Sequence, residues 1–276
     1  MDAILSLPVR VARSVRLRVL HASVRASLRD RGEQPAAPLR AEWTPGISVL
    51  IPECGTPDLL ERALVALQPA TADLGEPVEI VVVVNGAPAA HYEALRTRFA
   101  DVRWQFHAEA LGFSGALAQG LALVRHGAVY LHNSDMVLEP DTLRQLLPWR
   151  TPQAFAIASQ IFFDDPGKRR EETAKACGVR DGLPEPYDRD PERDGMVRSG
   201  LYASGGSSLF DTELLRRFSA RTMSYSPFYW EDLDWGVQAW KSGLEVLFHP
   251  GSVAWHRHRG TVAKMYSRSE IDRIVA

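Results

Sequence analysis

Val78-Glu79-Ile80-Val81-Val82-Val83-Val84-Asn85-Gly86 is the stretch on which the fold turns. Its β-branched residues are too continuously apolar for a strand with one wet face. They predict a central parallel strand covered on both sides, ended by Asn85-Gly86. Outward from it, Ile47-Ser48-Val49-Leu50-Ile51 is a second short apolar run, closed by Pro52 and followed by a helix that takes Pro57 in its first turn. A helix over about 88–100, a strand at Val102 to His107, a helix over about 114–125 and a strand at Ala128 to His132 continue the alternation. This order predicts an α/β fold with a mainly parallel central sheet flanked by helices. Open sheets of that kind bind ligands at the carboxyl ends of their strands. The groups placed there are Pro52-Glu53, Asn85-Gly86, the Gly112 loop and Asn133-Ser134-Asp135.

The second half is less periodic. Phe155 to Phe163 and Gly205 to Phe210 read as strands, and 164–200 is polar, rich in Gly, Pro and Asp, and expected to be a solvated loop. A helix over about 231–242, capped by Gly243, precedes a strand at Leu244 to Phe248 and a tail with His256 and His258. At the start, Leu5, Val9, Val15, Val19 and Val24 lie among Arg10, Arg13, Arg16, Arg18, Arg25 and Arg29, a basic helical pattern. Such a helix either lies on an anionic membrane surface or packs on the domain with a solvated arginine face. Pro35, Pro38 and Pro45 mark a linker. The expected organisation is a basic helical segment and linker over 1–45, a main domain over 46–262 and a tail over 263–276.

Composition narrows the function. At 276 residues, 45% of them hydrophobic, the chain buries an ordinary core. A net charge of -2 provides no global field for nucleic acid. Cys54 and Cys177 are far apart and have neither disulfide-framework nor zinc-site spacing, which fits a reducing compartment. No run approaches the roughly 18 apolar residues of a membrane span, and arginines interrupt any signal-peptide pattern. The expectation is a cytoplasmic protein, soluble or peripheral at the inner face of the membrane.

Four segments carry candidate chemistry. Asn133-Ser134-Asp135 follows an apolar strand directly, which puts a carboxylate at the ligand crevice, where a hard divalent ion is held by one or two carboxylates plus substrate phosphate oxygens. An Asp in a strand-to-helix turn also bonds local backbone, so the spacing alone leaves both roles open. Leu111-Gly112-Phe113-Ser114-Gly115-Ala116 joins strand to helix and offers free N–H groups at a helix start, without the pattern of a Rossmann or P-loop motif. Trp230-Glu231-Asp232-Leu233-Asp234-Trp235 places three carboxylates at a helix start, more than a cap needs, between aromatic residues on which a sugar ring can stack. An acceptor hydroxyl needs a positioned base, and a carboxylate fills that role. His256 follows the last strand, beside Trp255 and Arg257.

Taken in order, these segments resemble the inverting family 2 glycosyltransferases of the GT-A fold, over about 47–262. The matching pieces are Ile47 to Pro52, Val81 to Gly86, Leu111 to Ala116, Asn133-Ser134-Asp135 as the DxD-type element, Ala203-Ser204-Gly205-Gly206, Glu231-Asp232-Leu233-Asp234 and His256. The resemblance implies a UDP- or dTDP-linked sugar donor, bound with Mn2+ or Mg2+, and hexosyl- or rhamnosyl-type transfer to a saccharide or glycolipid acceptor in bacterial surface polysaccharide synthesis. Carried over, Asp135 and His256 are the metal ligands, and Asp232 is the base, shaped by Glu231 and Asp234. Pro52, Glu53, Asn85, Gly86, Gly112, Phe113, Ser114, Asn133, Ser134, Asp135, Gly205 and Gly206 line the donor. Two departures stand out. Val84 replaces the Asp that relatives use on the nucleobase, and Pro52-Glu53-Cys54-Gly55-Thr56 lacks the usual aromatic-Asn pair, leaving Glu53 to face the base or ribose. Val84 also motivates the alternative of a non-catalytic sugar- or nucleotide-binding module. The short stretch after His256 suggests that acceptor-binding parts are missing or come from a partner.

Overall fold

A computed structural model describes residues 39–164, 174–180, 183–189, 195–226 and 229–257. The expected N-terminal helix, Phe228, His258 and the tail lie outside the described residues. The chain runs β1 (Ile47–Glu53), α1 (Pro57–Thr71), β2 (Val78–Asn85), α2 (Glu93–Arg98), β3 (Arg103–His107), α3 (Gly112–Leu123), β4 (Ala128–His132) and β5 (Met136–Leu138). It continues through α4 (Thr142–Leu146), β6 (Ala154–Phe163), β7 (Lys175–Arg180), β8 (Leu183–Asp188), β9 (Arg198–Gly200), β10 (Ser207–Asp211), α5 (Thr212–Phe218), α6 (Glu231–Lys241) and β11 (Glu245–His256).

One nine-stranded sheet has the order β3-β2-β1-β4-β10-β6-β11-β5, with β9 on β11. Strands β3, β2, β1, β4, β6 and β11 share one direction, and β10, β5 and β9 oppose it. The chain is therefore α/β with a mostly parallel sheet, as expected. The valine run explains the layering. Val82 and Val84 face a core built with Leu60, Leu64 and Leu67 of α1, while Val81 and Val83 face Leu117 and Leu121 of α3. Both faces of β2 are dry, and each fully buried valine contributes roughly 1.5–3 kcal/mol.

Four expectations are corrected. The helix expected over about 88–100 is a 3-10 turn, Ala89–Tyr92, running into the six-residue α2. The segment expected as a loop over 164–200 contains the two-stranded β7–β8 hairpin and β9. Pro184 and Pro186 lack the N–H of a ladder and Gly178 faces them, so the hairpin has the composition of a loop; prolines are tolerated because each strand has only one partner. The short β5 was not expected at all. The last strand does not stop at Phe248 but passes through an irregularity between His249 and Val253 and runs to His256. His256 is thus a strand residue, in register opposite Met136. Before β1, the end of the expected linker is fastened to the domain, with the Trp43 indole donating to the Thr151 and Ala154 carbonyls.

Candidate active site

The ends of β1, β2 and β4 meet in a network that begins with Glu53. Its carboxylate is fully buried and accepts hydrogen bonds from the Thr56 amide, the Thr56 hydroxyl (2.9 Å to Oε2) and the Tyr92 hydroxyl (2.9 Å). The Gly55 amide donates back to Tyr92 Oη at 3.1 Å. Burial, with Glu53 adding to it, raises the Tyr92 phenol well above its ordinary range, so Tyr92 stays a donor. Asn85 is committed too: its Nδ2 donates to the Glu53 carbonyl and its Oδ1 accepts from the Leu111 amide, both at 2.9 Å. These two side chains, expected to line a ligand, instead tie β1, β2 and the Gly112 loop together. Pro52, half-buried, lies one residue before Glu53 on β1, and Gly86 takes φ +69° directly after Asn85. Val84 is buried in the core layer that holds Tyr92, so its side chain is not presented to the crevice.

The β4 exit carries the expected carboxylate. The Asn133 amide donates to the Gly206 carbonyl at 2.9 Å, and the Asn133 carbonyl accepts from the Met136 amide at 3.1 Å, forming the turn. Ser134 is buried, its hydroxyl 3.4 Å from Thr56 Oγ1. β5 then pairs antiparallel with the end of β11, and the Arg257 amide donates to the Asp135 carbonyl at 2.9 Å. That pairing delivers His256, whose Nε2 lies 3.3 Å from Asp135 Oδ1, both side chains nearly buried. One carboxylate and one imidazole are ligand types that divalent ions take. Among the described residues, no three His, Cys, Asp or Glu side chains converge as a metal cage.

Gly205 and Gly206 lie where three elements approach. A Cβ on Gly206 would meet Met136 Cε at 2.7 Å and Asn133 Nδ2 at 2.8 Å; one on Gly205 would meet Phe113 Cζ at 3.0 Å and Trp235 Cζ3 at 3.9 Å. The strand end bearing Asp135, the Gly112–Ser114 start of α3 and the acidic start of α6 are therefore neighbours. Glycine is required for that closeness. Ser114 is buried behind Phe113 in sequence, its hydroxyl without a hydrogen-bond partner among the described residues.

The three acids of α6 differ. Glu231 is 5% exposed, with Oε2 unpartnered among the described residues, and burial, aided by the Asp232 charge, pushes its carboxyl up to about 8. Asp232 is half-buried and accepts from the Leu233 amide at 2.8 Å. Asp234 turns sideways, accepting from Gln238 Nε2 at 2.9 Å and facing Tyr225, a role in the helix rather than at the crevice.

The sequence model of a family described as glycosyltransferase like family 2 matches residues 45–270. The chain belongs to that family. No curated protein matches the sequence. Among solved structures, a similar fold is that of GalNAc-T7, crystallised with UDP, GalNAc and Mn2+: the TM-score is 0.62 at 14% identity, covering 77% of this chain and 44% of that one. This glycosyltransferase thus spans less than half the length of that neighbour, and the likeness establishes the GT-A fold.

Three positions in the glycosyltransferase site had escaped sequence reading. Thr56 joins Glu53 to Ser134, Tyr92 closes the Glu53 network, and Trp235 packs under Gly205. Thr56 had one local signal, its place before Pro57 at a helix start. Tyr92 and Trp235 had none, because only the folded packing reveals their partners.

Proposed function

We propose that this glycosyltransferase moves a sugar, by hexosyl- or rhamnosyl-type transfer, from a UDP- or dTDP-linked donor to a saccharide or glycolipid acceptor with inversion at the anomeric carbon. The observation that carries the reading is the Asp135–His256 pair at the strand ends, beside Gly205 and Gly206. Two protein ligands leave the other positions of a Mn2+ or Mg2+ ion to diphosphate oxygens and water, the usual arrangement for a nucleotide substrate. When bound, the ion would neutralise charge on the leaving diphosphate. The neighbour's UDP and Mn2+ support the same donor class.

Asp232 is the base. It takes the proton of the acceptor hydroxyl as that oxygen bonds to the anomeric carbon, while the bond to the diphosphate oxygen breaks and its electron pair leaves with the nucleotide. Glu231 holds its own proton to about pH 8, which leaves this work to the more exposed Asp232. Asn133, Ser134, Phe113 and the two glycines shape the donor's bed. Glu53 and Asn85 act one step back, by fixing the loops that carry it. With Val84 in the core, the idea of a module without turnover loses its motive. We place the reaction on the cytoplasmic side of bacterial surface polysaccharide assembly, with the basic N-terminus touching the membrane. Among the described residues, no helix is long and apolar enough to cross it.

The test is nucleoside diphosphate release from a panel of UDP- and dTDP-sugars, with Mn2+ or with chelator. One donor should be consumed with Mn2+ only, and Asp232→Asn should lose turnover while still binding that donor. Full turnover by Asp232→Asn would refute the base assignment.

A further inference from the structure

We propose that Tyr229 and Trp230, together with the buried Glu231 that follows them, form a subsite for a neutral sugar ring of the acceptor. This deepens the transferase reading and rests on it. The first observation is backbone strain. Tyr229 and Trp230 hold φ of +79° and +74°, consecutive left-handed positions on two bulky residues. That conformation presses Cβ against the following carbonyl and is uncommon outside glycine. The second is exposure. Their side chains remain 38% and 43% exposed, so burial in the core does not offset the strain. The Trp230 carbonyl accepts from the Asp234 amide at 3.0 Å, which locks the strained turn to the first turn of α6. Strained positions held by their surroundings cluster at ligand sites.

The third observation is chemical. Glu231 Oε2 is buried and lacks a hydrogen-bond partner among the described residues, directly after the two aromatic side chains. Buried polar atoms are partnered in working proteins, and a sugar hydroxyl supplies the missing donor. Aromatic faces beside hydrogen-bonding groups suit a pyranose, whose C–H faces are apolar and whose rim is polar. Three carboxyl groups within α6's first turn disfavour an anionic acceptor. Together these features select an uncharged saccharide over an acidic sugar or a bare lipid hydroxyl.

The test uses Trp230→Gly, because glycine is relaxed at this φ and carries no ring. Methyl glycosides of glucose, galactose, N-acetylglucosamine and rhamnose are presented to the full chain with UDP and Mn2+, and binding is read by saturation-transfer NMR. In the wild type, ring C–H protons of at least one glycoside are expected to saturate. Binding of that glycoside should weaken about tenfold in Trp230→Gly and largely persist in Trp230→Phe. The melting temperature of Trp230→Gly should hold or rise, as relief of strain requires. No saturation of any glycoside in the wild type, or equal binding by Trp230→Gly, would overturn the proposal. A lower melting temperature with unaltered binding would do the same, assigning Trp230 to the fold. Failure of the transferase reading shows differently, as no nucleotide release from any nucleotide-sugar.

Discussion

Asp135 Oδ1 and His256 Nε2 stand 3.3 Å apart because β5, only three residues long, pairs with the last residues of β11. Far apart in sequence, the two side chains become one site through that pairing. His256→Ala should therefore keep the fold but raise the Mn2+ concentration needed for nucleotide binding by roughly ten- to a hundredfold, on the scale of lost metal-site partners. A Mn2+ titration followed by the melting temperature with UDP checks this. An unchanged Mn2+ requirement would remove His256 from the site.

Tyr92→Phe deletes a hydroxyl that donates to buried Glu53 and accepts from the Gly55 amide. The loss should cost about 1–3 kcal/mol of stability, since it strands a buried carboxylate oxygen. Urea unfolding should show a lower midpoint at unchanged slope.

The layout of the sheet was legible in the sequence because β-branched runs such as Val78 to Val84 have few alternatives to a doubly buried strand. The order of site segments was legible too, since parallel strands end on one edge. What escaped was pairing. β5 is too short to carry periodicity, and β11 crosses His249-Pro250-Gly251, a stretch that reads locally as a turn. Glu53 and Asn85 sat at the right edge, but their side chains serve other loops, which sequence cannot distinguish from facing a ligand. The hairpin β7–β8 hides behind its prolines.

His132 is fully buried, neither ring nitrogen has a partner among the described residues, and burial pushes its imidazole down to about 4, only partly offset by Asp135. The unfolded chain takes up a proton near the ordinary value of 6.5 that the folded chain refuses, so this residue costs stability progressively as pH falls from 6.5 towards 4. His132→Leu should flatten that acid-side loss. Melting temperatures measured across this range for both proteins decide it.

Glu231 works in the opposite sense. Its folded carboxyl keeps a proton up to about pH 8 while the unfolded one releases it near 4.5, so stability should decline as pH rises between these values. Glu231→Gln is neutral throughout and should lose the decline, becoming more stable than the wild type at pH 8 and close to it at pH 5. Parallel profiles for the two proteins would show that Glu231 is not held protonated.

The central claim is that Asp135 holds a metal at the donor diphosphate, and it is tested most directly by the melting temperature with UDP, with and without Mn2+, in the wild type and in Asp135→Ala. Binding stabilises by mass action. The wild type should rise by several degrees only when both are present, and Asp135→Ala should show no such rise. An equal rise in Asp135→Ala, or a full rise in the wild type without Mn2+, would contradict the account.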